Sequence, residues 1–158
     1  MEILLYVIIP LALSSIIFYF ILKRIPKKEV YEFQDWEKTD MPYITINVQD
    51  NKLNMIADSA ASVCIIQKEA LKRLHYIDSS RKVNLTALDD EGVTSNVVSI
   101  PFNVNGKEIN IDFVVYDSDN IAGFSQKHGV TIHGLLGVEF FRKTKGNVDF
   151  NKQTVTLL

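Results

Sequence analysis

Asn54-Met55-Ile56-Ala57-Asp58-Ser59-Ala60-Ala61-Ser62-Val63-Cys64-Ile65-Ile66 carries an apolar strand into an acid, a hydroxyl and two very small residues, then out into a second apolar stretch. Asp is disfavoured in strands and costly to bury, so Asp58 at the end of a β-type run calls for hydrogen-bond donors or a second carboxylate beside it. Ser59 and a tight turn at Ala60-Ala61 stand where donors are needed. The Asp-Ser-Ala triplet is weak on its own, because an acid next to a hydroxyl usually marks a turn or a helix cap. Its weight comes from its surroundings.

Upstream, residues 43–48 alternate apolar and polar with period two, Gln49-Asp50-Asn51 supplies a turn, and 52–56 return as a second strand, so a hairpin leads into Asp58. Downstream, residues 67–74 read as a short helix with Ala70, Leu71 and Leu74 along one side. Residues 82–88 alternate again, Asp89-Asp90-Glu91-Gly92 interrupts them, and 93–100 resume as the other arm of a second hairpin. A third follows, with 101–104 and 108–115 joined by Asn105-Gly106, a strong hairpin signal. Then come a loop over 117–129, a strand over 130–136, a brief helical turn over 138–143, and a closing hairpin over 147–157 turning at Asn151-Lys152-Gln153. Many short strands at regular spacing predict an all-β domain, a closed β-barrel with one short helix.

The 158 residues are 47% hydrophobic with mean hydropathy +0.07, enough for one ordinary domain and one membrane element. Residues 3–22 are uncharged and apolar, and at about 1.5 Å per residue they match the ~30 Å hydrocarbon core of a bilayer. They predict a transmembrane helix that tolerates Pro10 beside Ser14 and Ser15. A cleaved signal peptide needs a basic leading region and a small-residue cleavage site, and neither is present. Lys23, Arg24, Lys27 and Lys28 follow the run, which predicts a single-pass membrane protein whose C-terminal domain is cytoplasmic and whose basic flank contacts anionic lipid. One cysteine, Cys64, fits a reducing compartment and reads as a small core residue. The expected organisation is an anchor and basic flank over 1–28, a linker with partial structure over 29–41, and a folded domain over 42–158. Without the anchor the charge is about −5, which argues against nucleic acid as a partner. No phosphate-binding glycine loop and no metal-spaced Cys/His set is present, so no metal and no cofactor are expected.

The order of elements, together with Asp58-Ser59-Ala60, Ile132-His133-Gly134-Leu135-Leu136-Gly137 and the ending 146–157, resembles the retropepsin-like aspartic proteases over nearly the whole chain after the first forty residues. The resemblance implies one catalytic acid per chain, Asp58, and therefore a homodimer in which two copies meet, with a polypeptide as substrate; the terminal strand 154–158 is expected near the interface, because an unpaired edge there would otherwise be exposed. It also gives Ser59 the role of a hydroxyl that bonds across the interface and makes the hairpin around Asp89 to Gly92 a flap closing over substrate. Leu135-Leu136-Gly137 corresponds to an apolar-apolar-glycine motif beside the catalytic loop. One position departs from the pattern, since Ala60 stands where the family has glycine and its methyl restricts the backbone. The flap holds a single glycine, Gly92.

Other residues have plainer readings. His133 lacks a recognisable nucleophile partner and reads as structural or surface. His75 and His128 lack metal spacing, Glu139 reads as an acid at a helix N-terminus, Asp149 as a turn or strand-edge acid and Ser62 as structural. Two function classes follow: an aspartic endopeptidase tethered to a membrane, and a catalytically weakened protease fold, signalled by Ala60, acting as a dimerising or peptide-binding module.

Overall fold

The computed structural model describes residues 28–85 and 92–158. The elements run β1 (Glu29–Glu32), α1 (Trp36–Thr39), β2 (Tyr43–Val48), β3 (Asn51–Ala57), β4 (Cys64–Ile66), α2 (Lys68–Leu71), β5 (Ile77–Leu85), β6 (Val93–Val104), β7 (Lys107–Val115), α3 (Asp119–His128), β8 (Gly134–Leu136), α4 (Val138–Thr144), β9 (Asn147–Asp149) and β10 (Thr154–Leu157). Strands dominate, as the alternation predicts.

Two hairpin turns follow directly from side-chain chemistry. Gln49 and Asp50 join β2 to β3 with φ of 50° and 67°, and Asn105-Gly106 joins β6 to β7 with φ of 54° and 75°. A two-residue turn with both φ values positive matches the twist of the flanking strands, and Asn, Asp and Gly enter that region most readily. The second and third hairpins of the sequence reading share one strand. β6 continues through Pro101, beyond its last pairing with β5 at Ser99, so the missing proline N–H falls where only β7 is bonded.

Seven strands form one sheet in the order β2-β3-β8-β4-β7-β6-β5, and a second sheet has the order β1-β10-β9. The predicted closed barrel is corrected here: β2 and β5 end the large sheet and do not pair with each other. Between them β8 is inserted, parallel to β3 and antiparallel to β4, which binds the C-terminal third of the chain to the strand that ends at Asp58. The core between the sheets is packed by Ile44, Met55, Ile66, Ile100, Ile111, Phe113, Leu136 and Phe140. Phe102 stacks on Phe113 at 5.7 Å and meets Phe140 edge-on at 5.8 Å. Each such side chain contributes about 1.5–3 kcal/mol by leaving water.

Three further expectations are revised. The loop over 117–129 is largely α3, with Ser118 Oγ accepting from Ile121 N and Gly129 ending the helix at φ 67°. Its buried Ile121 packs with Tyr43, Ile56 and Ile132 in a second, smaller core. α1, α2, α3 and α4 thus replace the single short helix. The stretch 29–41 is bound to the domain, since β1 pairs with β10 along its whole length and Phe33 is buried. Finally, β10 lies between β1 and β9 and uses both edges within its own chain, so the unpaired terminal strand expected at an interface is absent.

The membrane placement is also corrected. Among the described residues no helix is long and apolar enough to cross a membrane. Residues 3–22, to which the transmembrane expectation belongs, and 23–27 of the basic flank lie outside the described residues, as do residues 86–91, which include Asp89, Asp90 and Glu91 of the acidic tip.

Candidate active site

β3 is buried to its last residue: Met55, Ile56 and Ala57 are 0%, 8% and 2% exposed. Asp58 then leaves the core half-buried, followed by exposed Ser59 and Ala60. Its main chain still belongs to the sheet, because Asp58 N donates to Leu136 O at 3.0 Å. The carboxylate is held by its own loop. Asp58 Oδ1 accepts from Ala60 N at 3.0 Å and from Ala61 N at 3.2 Å. This is an Asx-type turn, in which a short acid side chain substitutes for a backbone acceptor. The donors that Asp58 needs are therefore main-chain groups, and the Ser59 hydroxyl is not among them. Ala60 does not have positive φ, so its methyl brings no backbone strain.

Two glycines bring β8 against β4 and the start of α4 against this loop. A Cβ on Gly134 would lie 2.1 Å from Ile65 O. One on Gly137 would lie 2.2 Å from Val63 O and 2.8 Å from Ala61 O. No side chain fits at either place. The close approach lets Val138 N donate to Ala61 O at 2.8 Å and Gly137 N to Cys64 Sγ at 3.3 Å. Cys64 is fully buried, and desolvation pushes its thiol up to about 11 despite the opposing N–H groups of Gly137 and Phe140. The apolar-apolar-glycine segment thus packs beside the acid loop as the sequence indicates. Val138, the next residue, is 47% exposed on the neighbouring surface.

The remaining named residues lie apart or play structural parts. Gly92 is exposed just before β6, with its Cα facing the Asn84 side chain on β5. The start of β6, from Val93 to Asn96, lines a recess of about 340 Å³ with Lys68, Val115, Tyr116 and Asp117, and Asp58 is not part of it. Ser62 is exposed, and Glu139 pairs with Lys143 at 2.7 Å in α4. Asp149 accepts from Lys152 N at 3.0 Å, and that bond, followed by the Lys152 ammonium, holds its carboxyl below the usual range. It ends the edge strand β9 and accepts from the turn that follows, within the expectation of a turn or strand-edge acid. His75 N donates to Gln49 Oε1, while His128 lies tilted against Phe124 at 4.5 Å. His133 Nδ1 accepts from Asn54 N at 2.9 Å, a role its isolated place in the sequence did not disclose. Among the described residues no group of three or more His, Cys, Asp or Glu side chains is placed to hold a metal.

Comparison with solved structures finds a similar chain in the crystal structure of a retropepsin-like aspartic protease from Rickettsia conorii, 22% identical, covering 83% of this chain and 90% of that one with a TM-score of 0.48. A second is the retroviral protease-like domain of Ddi1 from Leishmania major, 15% identical, covering 75% and 93% with a TM-score of 0.46. No curated protein sequence matches the chain. The aspartyl protease family matches residues 44–140, more than half of the chain, from the hairpin before Asp58 through Gly137 and into α4, and the chain belongs to that family.

Proposed function

We propose that this protein is an endopeptidase that hydrolyses peptide bonds with water activated between two Asp58 carboxylates, one from each of two copies. The observation that carries the reading is the setting of Asp58: a surface carboxylate at the end of a buried strand, with Oδ1 fixed by two main-chain N–H groups. Such a group is oriented before substrate arrives, and a positioned acid or base contributes about 10²–10⁴ in rate.

One carboxylate is insufficient, because the reaction needs a base and an acid together. Two carboxylates a few ångströms apart share one proton, since both cannot ionise, and their pKa values belong to the pair. The ionised Asp58 takes a proton from water as its oxygen attacks the scissile carbonyl carbon. The protonated partner copy donates to the carbonyl oxygen, giving a neutral gem-diol. Collapse returns a proton from a diol hydroxyl to one carboxylate while the other carboxylic acid protonates the leaving nitrogen, so acid and base exchange roles. A two-fold arrangement supplies this pair from a single chain. The exposed Ser59-Ala60 tip and Val138 form the surface that a second copy would cover, with the Ser59 hydroxyl free to bond across it. The hairpin around Asp89 to Gly92 is the segment proposed to close over substrate and exclude water.

Ala60 motivates the second reading, a weakened protease fold that binds peptides without cleaving them. The absence of positive φ at Ala60 favours the enzyme, because that loop conformation does not require glycine. Incubating the full chain with a mixed peptide library at acidic and neutral pH tests both. The enzyme reading expects cleavage that a statine-type transition-state mimic blocks and that Asp58→Asn abolishes while the fold is retained. Binding without cleavage in the wild type would establish the module instead.

A further inference from the structure

β8 joins β3 as a parallel neighbour, and the first step of that ladder is irregular. His133 N donates to Asn54 O at 2.8 Å. In a regular parallel ladder Asn54 N would then donate to the carbonyl two residues earlier, at Thr131. Thr131 O is taken instead by the side-chain amide of Asn54 at 2.9 Å, and Asn54 N turns to His133 Nδ1 at 2.9 Å. Thr45 Oγ1 on β2 donates to Asn54 Oδ1 at 2.8 Å, which fixes the amide in that orientation. The imidazole is thus the acceptor for a main-chain N–H inside a sheet. Three ladder pairs follow, Met55 with Gly134, Ile56 with Leu135 and Ala57 with Leu136, before Asp58 N meets Leu136 O.

We propose that His133 is a positioning residue for Asp58: its neutral ring completes the β3–β8 ladder below the acid loop, and protonation of the ring unfastens that ladder and lowers activity from the acid side. The positioning role rests on the reading of Asp58 as the working acid. A protonated ring carries N–H at both nitrogens, so Nδ1–H would face Asn54 N–H with no lone pair between them. The Asn54 main chain offsets this only in part, being a smaller contribution than burial and Arg73. Asn54, Thr45 and Thr131 are uncharged, and Arg73, on the turn after α2, adds a like charge. Burial first and Arg73 second hold the ring below its ordinary value of 6.5, against a smaller opposing contribution from the Asn54 main chain. The unfolded chain therefore binds the proton more readily, and the ladder's contribution is full above about 6.5 and is lost as pH falls through the lower folded value. The dyad needs one proton between two carboxylates and gains from acid, whereas His133 needs none. Their opposition sets an acid limit to the working range.

The test uses the full chain, its His133→Asn variant, whose amide oxygen accepts near the place of Nδ1 without titrating, and His133→Leu, which has no acceptor. Protection of the Asn54 and Asp58 amides against hydrogen exchange, corrected for intrinsic rates, is followed by NMR as the His133 ring titrates, beside the pH profile of peptide cleavage. Protection at both amides is expected to fall about tenfold as the wild-type ring protonates, the scale of a lost hydrogen bond. It should not change over that range in His133→Asn, whose cleavage profile should extend to lower pH. Undiminished protection of Asp58 when the ring is protonated, or the same acid limb in His133→Asn as in wild type, would overturn the proposal. A chain that cleaves nothing refutes the peptidase reading, while the two amides still decide whether His133 fastens the strand. If His133→Leu does not fold, His133→Asn carries the comparison alone.

Discussion

Replacing Gly137 by alanine tests the packing that holds the acid loop. Gly137 has φ −91°, a conformation any residue adopts, so the substitution acts through space and not through backbone strain. The new methyl would stand 2.2 Å from Val63 O, 2.6 Å from Val63 C and 2.8 Å from Ala61 O. These are main-chain atoms, and ordinary contact requires a shift of about 1 Å between two segments that also share the Val138 N to Ala61 O bond. Overpacking of this kind costs about 1–3 kcal/mol, and weakening that hydrogen bond adds about 1 kcal/mol. A total of about 3 kcal/mol lowers Tm by about 6–12 °C in a chain of this size. Gly123 in α3 provides the contrast, because its added methyl meets nothing within 4 Å. Alanine there removes a helix-interior glycine and should stabilise by about 1 kcal/mol, or about 2–4 °C. Thermal unfolding followed by circular dichroism compares the two variants directly. A Gly137→Ala protein melting within about 2 °C of wild type would refute the reasoning.

Ala60→Gly should retain peptide cleavage and lose about 0.4–1 kcal/mol of stability, because the native loop does not require glycine and the unfolded chain gains freedom; a large gain in cleavage rate would show that the methyl obstructs the dyad. Cys64 should react with a thiol reagent at pH 8 only on unfolding, since it is fully buried with its thiol raised to about 11. Because its folded value lies above its ordinary 9.0, the stability linked to Cys64 is full below about 9 and declines as pH rises towards 11, a slope that Cys64→Ala should remove from the pH dependence of Tm.

The hairpins were legible because their signals are local. Alternation over 43–48, the strand returning over 52–56 and the Asn105-Gly106 turn require no knowledge of distant partners. α3 was harder to read, since it buries only Ile121 and carries Gly123 near its middle, so no apolar stripe marks it. Ser118 and Gly129, its cap and its stop, were the available signals. β1 was missed for a related reason: four residues with Val30 56% exposed look like a tether until β10 pairs with them. Pairing order is long-range information, and the insertion of β8 between β3 and β4 cannot be read from periodicity. At the site, Asp58 was legible because a carboxylate ending an apolar strand is chemically conspicuous. The turn at Ala60-Ala61 was legible as a source of its donors, whereas the absence of the Ser59 hydroxyl from them was not, and His133 gained meaning only when the fold brought it to Asn54.

Subunit mixing measures most directly whether two copies of Asp58 make one site. Wild-type chain and Asp58→Asn are combined at constant total concentration, allowed to exchange subunits, and assayed for peptide cleavage. A dyad formed across a two-fold axis leaves only wild-type pairs active, so an equal mixture should retain about a quarter of the undiluted activity. Activity of about a half, linear in the wild-type fraction, would mean that each chain works alone and would contradict the shared-carboxylate account.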